Sequence, residues 1–181
     1  DELRISPQKG TYVVFNYMDH AGHFDFGNNI KSSQWKTIFQ KVYRELRNTE
    51  KIIFACHNHK EIELAKEMDP SAEIFFSENY IDYVNFYARA KYGLVNRVHS
   101  AFIMGGLGKP TVLVGSDSRA KMSDMIGVKN YFVNDVTSAE QLLQDLKFID
   151  DHKNEFHDDI IQFKKEYLSQ YRNVLKPILS F

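Results

Sequence analysis

The residues in this sequence best suited to chemistry are Asn96-Arg97-Val98-His99. An arginine fork can pair its planar donors with two oxygens of a carboxylate or phosphate at once. A histidine two positions later can serve as a general acid or add a further donor to an anion. Ser100 follows directly, and Asp117, Arg119 and Lys121 add one acidic and two basic side chains downstream. Taken alone, Arg-x-His reads equally well as a surface arginine beside a helix-capping histidine. Its place in the fold decides its weight.

Other polar clusters compete for attention. His57-Asn58-His59 follows an apolar run, so both histidines join His20 as candidates for the acceptor side of a site, with a solvated turn as the simpler reading. Asp19-His20-Ala21-Gly22-His23-Phe24-Asp25 contains metal-ligand residue types, but its spacing matches no metal motif and no cysteine pair supports it. A polar loop loosened by Gly22 and Gly27 is the preferred reading, and no metal is expected. Cys56 has no partner that would make it a nucleophile and reads as a small buried hydrophobe. Gly105-Gly106-Leu107-Gly108 ends an apolar helix instead of opening one, so it reads as a helix C-cap and not a phosphate loop. Tyr80, Tyr83, Phe86 and Tyr87 read mainly as core.

The elements that must position these residues alternate in type. Strand-like runs cover Thr11–Phe15, Lys51–Ala55, Glu73–Ser77, Lys91–Asn96, Thr111–Gly115 and Asn130–Val133. Between them lie helix-period stretches over Ser33–Arg47, Glu61–Met68, Asn79–Ala90, His99–Leu107 and Arg119–Ile126. The stretch from about Ser138 is helical, its last part over Lys153–Tyr171 carrying an apolar stripe through Phe156, Ile160, Phe163 and Tyr167. This pattern predicts one doubly wound, Rossmann-like α/β domain over residues 1–181, with about six mostly parallel strands and helices on both faces. Ligands of such sheets bind at the carboxyl ends of the strands, where Arg97 and His99 fall at the start of a helix.

Composition removes several classes. The chain has 181 residues, 43% hydrophobic and 26% charged, with a formal net charge of -1, so no nucleic-acid footprint is expected. No apolar run approaches the roughly 20 residues that span a bilayer, which leaves only peripheral membrane contact open. A lone cysteine excludes an internal disulfide and favours a reducing, cytoplasmic setting. The start at Asp1-Glu2-Leu3, with neither an initiator Met nor a signal segment, suggests a piece of a longer protein.

Asn96-Arg97-Val98-His99-Ser100-Ala101-Phe102-Ile103, then Gly108-Lys109-Pro110-Thr111-Val112-Leu113-Val114, then Asp117-Ser118-Arg119 resembles the polysaccharide pyruvyl transferase family. That signature is approximately Arg-Leu-His, an apolar helix, a Pro-led strand and Asp-x-Lys. The likeness extends into Met122–Val128 and is tight over Tyr92–Val128. Two departures are Arg119 in place of the lysine and Gly115-Ser116 where the family often has an aromatic.

The resemblance implies the C-terminal lobe of a two-lobed GT-B enzyme, with the N-terminal lobe missing. It implies transfer of a pyruvyl group from phosphoenolpyruvate to a sugar of an exported or cell-surface polysaccharide, forming a ketal without a further cofactor. Arg97 and His99 would bind and protonate the anionic donor. Ser100, Asp117, Arg119 and Lys121 would complete its site, and a saccharide acceptor would sit opposite. A GT-B glycosyltransferase lobe holding a nucleotide-sugar is the second reading. A non-catalytic anion- or sugar-binding lobe is the third.

Overall fold

The structure is a computed structural model that describes residues 8–19, 32–115 and 128–179. Its elements are β1 (Tyr12–Asn16), α1 (Ser32–Leu46), β2 (Ile52–Ala55), α2 (His59–Met68), β3 (Glu73–Phe75) and α3 (Tyr80–Ala88). They continue as β4 (Ala90–Val95), α4 (Val98–Gly106), β5 (Thr111–Gly115), β6 (Lys129–Phe132), a 3-10 turn over Val133–Asp135, α5 (Ala139–Asp151) and α6 (Lys153–Leu179). The helix expected over Arg119–Ile126 falls outside the described residues.

The six strands form one sheet in the order β3-β2-β1-β4-β5-β6, and every pairing is parallel. This is the Rossmann-like fold the alternation predicts. Alternation along β1 explains the two layers. Val13 and Phe15 pack with Trp35, Phe39 and Val42 of α1 and with Leu142 and Leu146 of α5. Tyr12 and Val14 point the other way, toward Tyr83, Phe86 and Tyr87 of α3 and Met104 of α4. A strand covered on both faces has no polar side, so β1 and β5 are buried along their whole length.

The order of connection reverses between β1 and β4. The chain first builds outward through β2 and β3, then crosses the sheet and builds through β5 and β6. Crossovers leaving in opposite directions part beyond the carboxyl ends of the two central strands, and a crevice opens there. Asn16 ends β1, and Asn96 follows β4 directly.

Some boundaries differ from the sequence pattern for local reasons. α2 begins at His59, two residues before the apolar spacing starts, because the Asn58 side chain accepts from Glu61 N at 2.9 Å and caps it. β3 stops at Phe75, short of Ser77, whose hydroxyl instead donates to Asp82 of α3 at 2.6 Å. α6 runs past Tyr171 to Leu179. Gly108, at φ 69, follows α4, with Lys109 N donating to Met104 O at 2.9 Å, as expected of a glycine-assisted C-cap.

Candidate functional site

Two buried carboxamides shape the crevice. Asn16 Nδ2 donates to Ala55 O and to Glu61 Oε2, each at 3.0 Å, while its Oδ1 accepts from Arg97 N at 2.9 Å. Asn96 Nδ2 donates to Val114 O at 2.8 Å, and its Oδ1 accepts from Met18 N at 2.9 Å. Backbone groups past the last ladder bonds need other partners, and a carboxamide presents both a donor and an acceptor to meet them. Asn16 and Asn96 therefore tie β2, β1, β4 and β5 together where the sheet stops.

The centre of the network is Glu61, which is 4% exposed. Its Oε1 accepts from Arg97 Nε at 2.8 Å, from Arg97 Nη2, and from Asn58 Nδ2 at 3.1 Å. Its Oε2 accepts from His57 N at 2.9 Å as well as from Asn16, with His57 Nδ1 3.4 Å away. Burial by itself pushes the carboxyl up, but the His57 and Arg97 hydrogen bonds and the Arg97 charge outweigh it. Glu61 is held below the ordinary carboxylate range and stays ionised. The arginine fork that sequence offered to an anionic ligand thus already grips a carboxylate of its own chain. Arg97 keeps a partly exposed side chain.

His57 joins this network from the other side. Its ring stacks on Tyr83 with centroids 4.6 Å apart, and Nε2 lies 3.3 Å from Tyr87 Oη and 3.5 Å from Ser100 Oγ. Ser100 is fully buried and accepts from the Tyr87 hydroxyl at 2.8 Å, so its hydroxyl faces the interior. Burial pushes the Tyr87 phenol well above its ordinary value, against the Ser100 hydrogen bond, so Tyr87 remains a donor. Cys56 is buried, and its thiol is pushed up to about 12, mainly by burial and secondarily by the Glu61 charge, which suits packing and not nucleophilic attack.

His99 lies apart from these bonds. It is exposed in the first turn of α4, one residue after Val98 and two after the capping residue Arg97. Arg97 makes no side-chain capping bond, and among the described residues no acceptor meets the N–H groups of Val98, His99 and Ser100. Those donors and the positive end of the α4 dipole lie beside exposed His99, although Ser100 itself is fully buried, an arrangement suited to a phosphate or carboxylate.

The structure therefore brings Arg97, His57 and Ser100 into one network with Glu61, and puts His99 at its solvent-facing rim. His59 does not join them: it is exposed, and its ring lies against Phe76, 5.6 Å between centroids. His20, Asp117, Arg119 and Lys121 lie outside the described residues. Sequence reasoning missed Glu61 and Asn16. The available signal for Glu61 was Asn58-x-x-Glu61, a capping pattern whose carboxylate turns back to the residues before the helix. Asn16 could have been flagged as an asparagine ending a wholly apolar strand.

No protein-family model matches the chain, and no curated protein sequence matches it. Solved structures do. The E. coli heptosyltransferase WaaC, with ADP, superposes at a TM-score of 0.56 and 16% identity, covering 80% of this chain and 46% of that one. The S. aureus MnaA–UDP structure gives 0.56 and 18%, covering 84% and 40%. UDP-GlcNAc 2-epimerase from Neisseria meningitidis, bound to UDP-GlcNAc, gives 0.53 and 12%, covering 85% and 40%. The fold is thus the Rossmann-like α/β fold also found in GT-B glycosyltransferases and sugar-nucleotide epimerases. The chain spans less than half the length of each of these structures.

Proposed function

We propose that this chain is the donor-binding lobe of a GT-B transferase acting on glycans, and that it holds the phosphates of a nucleotide-sugar at the start of α4. The observation that carries this reading is the first turn of α4, whose N–H groups meet no acceptor among the described residues, set at the strand-order reversal beside exposed His99. A diphosphate there would take the N–H groups of Val98 and His99 and a further donor from the His99 ring. Arg97 would act mainly as a wall of the site, its fork fixed by Glu61. The ADP, UDP and UDP-GlcNAc of the structural neighbours support a nucleotide donor for this chain too.

A second reading has its own support. Asn96-Arg97-Val98-His99 with Asp117-x-Arg119 resembles the pyruvyl transferase signature, and phosphoenolpyruvate is a smaller anion that the same helix start could hold. In that reaction His99 would protonate the methylene carbon, and one sugar hydroxyl would add to the resulting cationic C2. A second would close the ketal as the C2–O bond to phosphate breaks, inorganic phosphate leaving and the two hydroxyl protons passing to the phosphate and back to His99. One well-placed acid contributes about 10²–10⁴-fold.

Calorimetric titration with UDP, ADP, GDP and phosphoenolpyruvate separates the two. Saturable binding of a nucleoside diphosphate, lost in His99→Ala, is the expected result. Binding of phosphoenolpyruvate alone moves the assignment to pyruvyl transfer. Nucleotide binding that His99→Ala leaves unchanged removes the donor site from the start of α4.

A further inference from the structure

The opposite edge of the sheet carries a cavity. A cleft of about 570 Å³ lies at the N-terminal ends of β4 and β5, between the segment leading into β1 and the first turns of α6. Four lysines and one histidine line it, namely Lys9, Lys91, Lys109, Lys153 and His157, and among the described residues no carboxylate does. We propose that this cleft is an anion site, separate from the start of α4, that takes a small phosphorylated ligand carrying two or more negative charges.

The cations of the cleft differ in how they are partnered. Lys91 pairs with Glu50 at 2.6 Å and Lys153 with Asp150 at 2.9 Å, so two of the four ammonium groups already have carboxylates outside the lining. Lys109 does not. It is 8% exposed, and its Nζ donates to a backbone carbonyl, Gln8 O, at 2.6 Å. A carbonyl satisfies one of three ammonium donors and none of the charge, and an ammonium withdrawn from water is costly unless an anion faces it. Burial correspondingly pulls the Lys109 pKa below its ordinary value. Lys9 is exposed at the mouth of the cleft.

The cleft is also held in shape by its backbone. Gln8 N and Thr11 N donate to Ala88 O and Arg89 O, each at 3.0 Å, binding the segment before β1 to the turn before β4. A Cβ on Gly10 would sit 2.5 Å from Lys91 Cα, so glycine alone allows that approach. On the far wall, Gly108 lies directly under the His157 ring, where a side chain would displace it. A preformed, cation-rich cavity with an unneutralised buried ammonium is complementary to a phosphate dianion or a diphosphate.

Inorganic pyrophosphate titrated into the ¹⁵N-labelled chain tests this, because both candidate anion sites are read at once. The expected result is saturable shifts of the Gly10, Lys91 and Gly108 amides that persist in His99→Ala. Replacing the two exposed lysines together, Lys9→Gln with Lys153→Gln, should weaken that binding about tenfold, and Lys109→Met should abolish it. Shifts confined to Val98, His99 and Ser100 overturn the proposal. So does saturation at the cleft with undiminished affinity in the double variant, or no saturation there at all. Failure at the cleft leaves the α4 reading intact, since the two sets of amides report separately.

Discussion

At the C-terminal edge of the sheet, Glu61 is buried with Arg97, His57, Asn16 and Asn58 donating around it. At the N-terminal edge, Lys109 is almost as buried, with a single backbone carbonyl as its partner among the described residues. Both are charges in the interior, and the difference lies in what surrounds them. An ion whose partners all come from the chain belongs to the architecture, and removing it strands those partners. An ion left unneutralised contributes little to folding and is available to something else. Charge at a site is informative only with its partners counted.

The largest effect should come from the well-partnered edge. Glu61→Ala leaves the Arg97 guanidinium and the Asn16 amide without their acceptor, and should destabilise the fold by about 3 kcal/mol in urea unfolding. A loss of under 1 kcal/mol would show that the network is loosely held. Acidification should act in the same direction. The depressed Glu61 pKa means its contribution is fully present above the unfolded value of about 4.3 and fades as pH falls through the folded value. Glu61→Gln should therefore flatten the acid limb of the stability curve.

Lys109→Met makes the opposite edge the contrast. Removing an unneutralised buried ammonium should leave stability within about 1 kcal/mol of wild type or raise it. The sign of its pH dependence follows from the lowered pKa. Below the folded pKa the lysine is charged in both states and the folded protein carries the whole penalty. Wild-type stability recovers as pH rises from the folded pKa toward the unfolded value of about 10.4. Any advantage of Lys109→Met should accordingly shrink between neutral pH and pH ~10. A loss above 2 kcal/mol would mean that the bond to Gln8 O, not the charge, dominates at this edge.

His99→Ala should give the smallest change in stability, within about 0.5 kcal/mol, because the side chain is exposed and bonded to nothing among the described residues. A thermal melt matching wild type, beside lost ligand binding, would separate the rim of the site from its frame. A clear drop in melting temperature would place His99 in the architecture instead.

Sequence alone determined the class of fold and the edge at which to look. Val13, Val14 and Phe15 form a run with no polar face, and Ile38, Phe39 and Val42 repeat at helical spacing. Those patterns are local, because each depends on the period of the chain's own backbone. Arg97 and His99 were placed at a strand end for the same reason, and so was the C-cap at Gly108. Strand order, and hence the position of the crevice between β1 and β4, came only with the tertiary structure.

Tertiary structure also decided what each polar residue does. Glu61 lies 36 positions from Arg97, and Gln8 lies 101 from Lys109. Contacts across such separations depend on how the sheet brings elements together, and no local period encodes them. Sequence therefore identified Arg97 as a fork able to hold an anion. Only the fold showed that the anion it holds is Glu61, and that Lys109 is buried with no carboxylate partner among the described residues.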